Sequence, residues 1–195
     1  VTGALRTRQR EIVDVRDGDH LSALLDRGAE LVLVDLRLPE RTIADLAQTL
    51  ALKREVPIIV LADDGITFDG RTLETQPLGG VESSVVFLVE ELARRGNQVM
   101  VRKNCDHAMV HKGVDWAPIQ DGLPDTADLY IANRGDKLIP LMGDARRTIF
   151  WIHNPAQYLL KWRYLSKLWR HRPAIVFIGD YAATTYPRWA PDGGR

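Results

Sequence analysis

Short runs rich in Val, Ile and Leu alternate with helix-period segments along the whole chain, and this alternation constrains the fold more than any other feature. The runs are "EIVDV" (11–15), "ELVLVDL" (30–36), "PIIVLA" (57–62), "QVMVRK" (98–103), "VDWAPI" (114–119), "DLYIAN" (128–133), "RTIFWIH" (147–153) and "AIVFIG" (174–179). Most are continuously apolar, as strands covered on both faces of a parallel sheet must be. Between them, "DHLSALLDRG" (19–28) ends at Gly28 in a C-cap position, and "RTIADLAQTLALKRE" (41–55) sets Ile43, Leu46, Ala47 and Leu50 on one face. "VESSVVFLVEELARRG" (81–96) aligns Val85, Leu88, Val89 and Leu92 and closes on Arg94, Arg95 and Gly96, cations suited to the negative helix end. The expected fold is α/β: a Rossmann-like, doubly wound, mostly parallel sheet with helices on both faces.

Charge adds little at the level of the whole chain. Lys+Arg and Asp+Glu balance at 26 each over 195 residues, which argues against a broad nucleic-acid-binding face. The single cysteine, Cys105, cannot form an internal disulfide and reads as a small core or edge residue. The chain opens on Val1, as a fragment or trimmed chain would, without a signal-peptide pattern. No apolar run approaches the roughly 20 residues of a membrane span, so a cytoplasmic home is expected.

The loop at 63–80 is long for a strand-to-helix connection and ends in "PLGG". Leaving the carboxyl end of "PIIVLA" and entering the helix at 81, it brings Gly79 and Gly80 to a helix N-terminus. Free N–H groups and the positive dipole end attract anions there, and a residue without Cβ lets a phosphate or sugar approach the backbone. A plain tight turn is the alternative, since this is neither a G-x-G-x-x-G nor a Walker sequence. Glu82, in the first helical turn, reads as a helix-start residue rather than a catalyst.

Together with "LVEELARRGNQVMV", "DLYIANR" (128–134), "TIFWIHNP" (148–155) and "AIVFIGDYAATTYPRWAP" (174–191), "PLGGVES" resembles the N-terminal, acceptor-side domain of family 4 glycosyltransferases, retaining enzymes of the two-domain GT-B fold. The resemblance runs from about residue 56 to 195, roughly two-thirds of the chain; Asn97 stands where that family typically has His. It implies that Gly79 and Gly80 face the cleft between donor and acceptor, and that no divalent ion or other cofactor is needed. A nucleotide-sugar would be the donor substrate, and a sugar or lipid-linked molecule the acceptor. It also implies a second, nucleotide-binding domain, which this chain lacks, so the isolated chain is expected to be inactive.

His153 ends the strand "RTIFWIH", with Pro155 stopping it. Catalytic side chains collect at that edge of such sheets, a neutral imidazole can bond a sugar hydroxyl, and the resembled family commonly has a histidine there. His153 is therefore the catalytic candidate, and Asn154 a neighbour able to read hydroxyls. His107 and His111 could meet on one helical turn, but with only Cys105 and Asp106 nearby no metal site is expected. His20 reads as part of a helix start.

"YLLKWRYLSKLWRHRP" (158–173) concentrates rings and cations. On one helical wheel Tyr158, Trp162, Leu165 and Trp169 share a face, with Arg163, Lys167, Arg170 and His171 roughly opposite. Such a helix can lie on an anionic membrane surface, the inner membrane surface included, and membrane-associated members of the resembled family reach lipid acceptors in this way. The simpler reading packs the aromatic face on the sheet and solvates the cations.

Residues 1–55 read β-α-β-α and precede the resemblance, an extension of uncertain role. "AELVLVDLRLPE" suggests a receiver with Asp35 as phospho-acceptor, but too little chain precedes it to supply the acidic pair of an earlier strand; Asp14, Asp17 and Asp19 are misplaced for that. A glycosyltransferase acceptor domain is the leading reading. A non-catalytic Rossmann-like binding module and a receiver-like regulator are the alternatives.

Overall fold

The computed structural model describes residues 56–194, together with Asp19. The chain divides at Glu55–Val56 into two units. The elements expected between residues 11 and 55, with Gly28, His20 and Asp35, lie outside the described residues.

The second unit holds β1 (Ile58–Asp63), α1 (Thr72–Thr75), α2 (Gly80–Arg94), β2 (Gln98–Lys103), β3 (Met109–His111), β4 (Val114–Pro118), β5 (Ala127–Asn133), β6 (Ala145–Ile152), α3 (Trp162–His171), β7 (Ala174–Phe177) and α4 (Asp180–Thr184). Its seven-stranded sheet has the order β3-β4-β2-β1-β5-β6-β7. Every pairing is parallel except that of β3 with β4 at one edge. This is the α/β, Rossmann-like architecture.

Both sheet faces are covered, which is why the strands read as unbroken apolar runs. Because side chains alternate along a strand, Ile59 and Leu61 of β1 turn to one face with Val99, Val101, Trp116 and Ile131. They pack there against Val85, Val86 and Val89 of α2 and against Phe68. Val60 and Ala62 turn to the other face with Tyr130, Ala132, Phe150 and Ile152, against Tyr164 and Leu168 of α3. Each fully buried Val, Leu or Ile contributes about 1.5–3 kcal/mol. α2 stops at Gly96, whose φ of 85° only glycine adopts cheaply. Arg94 and Arg95 in its final turn fold back onto Glu91 at 2.6 and 2.8 Å.

Two expectations are corrected. His107 and His111 do not share a helical turn, because the chain there forms a β-hairpin. Lys112 (φ 46°) and Gly113 (φ 78°) make its two-residue turn, the positive-φ pair that suits the right-handed twist of the strands. His111 closes β3 and faces Glu74 at 3.1 Å. Nor does the aromatic face of 158–173 pack on the sheet. Tyr158 lies in a separate 3-10 turn, Ala156–Leu160, and Lys161 is extended before α3 begins. This break puts Tyr158 out of phase with the helix. Tyr164, Leu165 and Leu168 form the buried stripe instead, while Trp162 and Trp169 remain 73% and 45% exposed.

The β7 edge is blunted by the chain that follows it. Asp192 accepts a hydrogen bond from the Ile175 N–H at 3.1 Å, and the Gly193 N–H donates to the Pro173 carbonyl at 2.9 Å, so the chain itself occupies the start of this edge. Among the described residues, no helix is long and apolar enough to cross a membrane.

Candidate functional site

The strand order reverses beside β1. From β1 the chain winds outward through β2 to β4, then returns across β1 to build β5, β6 and β7 on the other side. In open α/β sheets, ligands bind outside the carboxyl ends of the strands at such a switch point. β1 and β5 flank it here.

Four polar side chains stand in a row along that edge. Parallel register pairs Asp63, the last residue of β1, with Lys103 of β2 and with Asn133 of β5. Asn133 pairs in turn with Trp151 of β6, two residues before His153. Odd-numbered residues of β1, β2 and β5 share the α2 face of the sheet, so Lys103, Asp63 and Asn133 all point to the side from which α2 starts. All three are fully buried. Burying ionised groups without partners is prohibitive, and each of them is partnered.

The Asn133 side-chain amide donates to Asp63, and its Oδ1 lies 2.9 Å from His153 Nε2. A carboxylate only accepts, so the NH2 of Asn133 must face Asp63 and its carbonyl must face the imidazole. His153 therefore carries its proton on Nε2, leaving Nδ1 as the accepting nitrogen. The imidazole packs against Trp151 with ring centroids 4.5 Å apart. Burial, and the nearby Arg134 guanidinium, hold its pKa below the ordinary histidine value, which favours the neutral ring.

Arg134 ties this chain to the glycine turn. It reaches Asp63 at 3.2 Å and Glu82, in the first turn of α2, at 3.1 Å. Its backbone takes φ 65°, a conformation that costs a residue with Cβ roughly 1–2 kcal/mol. Its guanidinium lies so close to Gly65 that a Cβ there would be 1.8 Å from Nη2; glycine is what allows the approach. The Gly65 N–H also donates to Asp63 at 2.8 Å. Lys103 donates to the carbonyls of Ile66 and Asn104 at 2.8 and 3.0 Å and lies over the Phe68 ring at 3.7 Å. Burial lowers its pKa to about 8.

Gly79 and Gly80 are exposed at the start of α2. A Cβ on Gly79 would lie 2.4 Å from a Glu82 carboxylate oxygen, whereas one on Gly80 would meet nothing within 4 Å. The turn thus has a carboxylate on one side and open backbone on the other. Glu82 does start the helix, and it is also nearly buried and ion-paired. Asn154 follows His153 on the surface. Among the described residues, no three His, Cys, Asp or Glu side chains are grouped to hold a metal ion.

From His153, polar contacts run through Asn133, Asp63 and Arg134 to Glu82, whose carboxylate lies beside the Gly79–Gly80 turn, 73 residues earlier in the sequence. The sequence reading missed Asp63, Lys103, Asn133 and Arg134. A signal for the first three was present: each is the polar last residue of a strand that is otherwise largely apolar. Comparison of the chain with family models, with curated proteins and with solved structures finds no match.

Proposed function

We propose that residues 56–195 are the acceptor-side domain of a retaining, nucleotide-sugar-dependent glycosyltransferase. One observation carries this reading: at the switch point of the sheet, the neutral, oriented imidazole of His153 is linked by polar contacts through Asn133, Asp63 and Arg134 to Glu82, whose carboxylate lies beside the open Gly79–Gly80 turn. His153 would contact the reacting sugar through Nδ1, Gly79 and Gly80 would admit the substrate against the backbone, and Asn154 would read a further hydroxyl. Asp63 and Asn133 hold the imidazole in its tautomer. The Glu82 carboxylate beside Gly79 favours hydroxyl groups over a diphosphate at that side of the turn, because carboxylates accept hydrogen bonds and repel anions.

Titration of the full chain with panels of glycosides and nucleotide-sugars, followed by NMR, tests the reading. Shifts should appear at His153, Gly79 and Gly80 with at least one of them. Silence of all three residues across both panels would overturn it. The same Glu82 carboxylate favours a second reading, a non-catalytic binding module for polyhydroxylated ligands; binding of glycosides with no response to any nucleotide-sugar would select it.

A further inference from the structure

The helix α3 carries a surface that the site does not use. Residues 145–179 contain seven Lys and Arg and no Asp or Glu, in a chain whose charges balance as a whole. Within this stretch Trp162 and Trp169 are seven residues apart, as are Arg163 and Arg170, so each pair forms a row along the helix and the two rows are neighbours. The stripe of Tyr164, Leu165 and Leu168 faces the sheet, and both rows face away from it. The tryptophan rings meet edge to face with centroids 6.3 Å apart. Just before the helix, Tyr158 is 42% exposed and the Lys161 ammonium sits over its ring at 4.2 Å. Arg163 and Lys167 touch Asp136, but Arg170 and Arg172 have no acidic partner among the described residues.

We infer that this face of α3 docks on the surface of an anionic phospholipid bilayer, with Trp162 and Trp169 at the headgroup level and Arg163 and Arg170 against the lipid phosphates. Tryptophan favours that depth because its ring is apolar and its N–H polar, and clustered cations are drawn to an anionic leaflet. The face is the outer side of a helix, suited to lying flat along an interface. A nucleic acid also offers phosphates, but the two rings occupy each other edge to face and present no parallel slot for a base. This inference is independent of the glycosyl-transfer reading.

Co-sedimentation of the full chain with vesicles of phosphatidylglycerol and phosphatidylcholine, against vesicles of phosphatidylcholine alone, tests it. Binding is expected only to the anionic vesicles. Arg163→Gln/Arg170→Gln should weaken that binding about 30-fold, equivalent to about 1 kcal/mol for each cation. Bromine-labelled acyl chains should quench tryptophan emission of the wild type, and Trp162→Ala/Trp169→Ala should abolish the quenching while circular dichroism shows the fold retained. No binding to anionic vesicles, or undiminished binding by both double variants, would overturn the inference. So would a single-stranded RNA oligonucleotide that binds while vesicles do not, or self-association that the tryptophan substitutions abolish in the absence of lipid.

Discussion

His153 Nε2 lies 2.9 Å from the side-chain oxygen of Asn133, a residue 20 positions earlier whose amide is committed to Asp63. The imidazole at the sheet edge is thus held by an asparagine that has no freedom to flip. Its orientation depends on a buried carboxylate it does not touch.

Asn133→Ala removes both bonds and leaves the Asp63 carboxylate buried with one donor fewer. Losing a buried bond to a charged group, with its partner left unsatisfied, costs about 3 kcal/mol. Urea denaturation should show that loss as a lower midpoint at unchanged slope. The His153 ring resonances should also broaden or shift as the tautomer loses its partner.

Arg134 makes two opposing contributions, and two substitutions separate them. Arg134→Ala strands the Asp63 and Glu82 carboxylates in a buried setting, at a cost of about 3 kcal/mol, and retains a Cβ at φ 65°. Arg134→Gly loses the same ion pairs and relieves the backbone, so it should be about 1 kcal/mol more stable than Arg134→Ala. Equal stabilities in parallel denaturations would show that the backbone is not strained at this position.

The glycine turn predicts opposite effects on folding and binding. Gly80 begins α2 and a methyl group there meets nothing, so Gly80→Ala should raise stability by about 0.5–1 kcal/mol through helix propensity and a restricted unfolded chain. The same methyl covers the open backbone and should weaken whichever glycoside or nucleotide-sugar the wild type binds. Gly79→Ala, by contrast, drives Glu82 away from the turn and should be destabilising.

Stability should depend on pH through two groups whose folded pKa values are depressed. For His153 the folded state favours the neutral ring. Its contribution is therefore present above the unfolded value of about 6.5 and is lost as pH falls through the folded pKa. His153→Gln should remove that acid-side loss, and the wild-type imidazole should titrate by NMR with a midpoint below about 6.5. Lys103, at about 8 against an ordinary 10.5, binds fewer protons folded than unfolded in that interval. Stability of the wild type relative to Lys103→Met should accordingly rise between pH 8 and 10.5.

Much of the fold could be read locally. "QVMVRK" is β2 residue for residue, and "DLYIAN" falls one residue short of β5. The helix expected at 81–96 is found at Gly80–Arg94 with Gly96 beyond it. The short edge strand β3 escaped notice because three residues carry no period; only the Lys112–Gly113 turn betrays it. The buried face of α3 was misread on two counts: Lys161 interrupts the chain and takes Tyr158 off the wheel, and within the helix the side that carries Tyr164 and Leu168, not the side of Trp162 and Trp169, turns to the sheet.

By itself the sequence determined that this is a layered α/β domain with two glycines entering a helix and a histidine ending a strand. Apolar continuity, helical period and punctuating glycines act over a few residues and are written in order along the chain. Only the tertiary structure decided that Asp63 and Asn133, 70 residues apart, would be neighbours, that Arg134 would bridge them to Glu82, and that the tryptophans of α3 would face outward. The partner of a strand end depends on which strand pairs beside it and in what register, and that choice is made by the packing of the whole sheet.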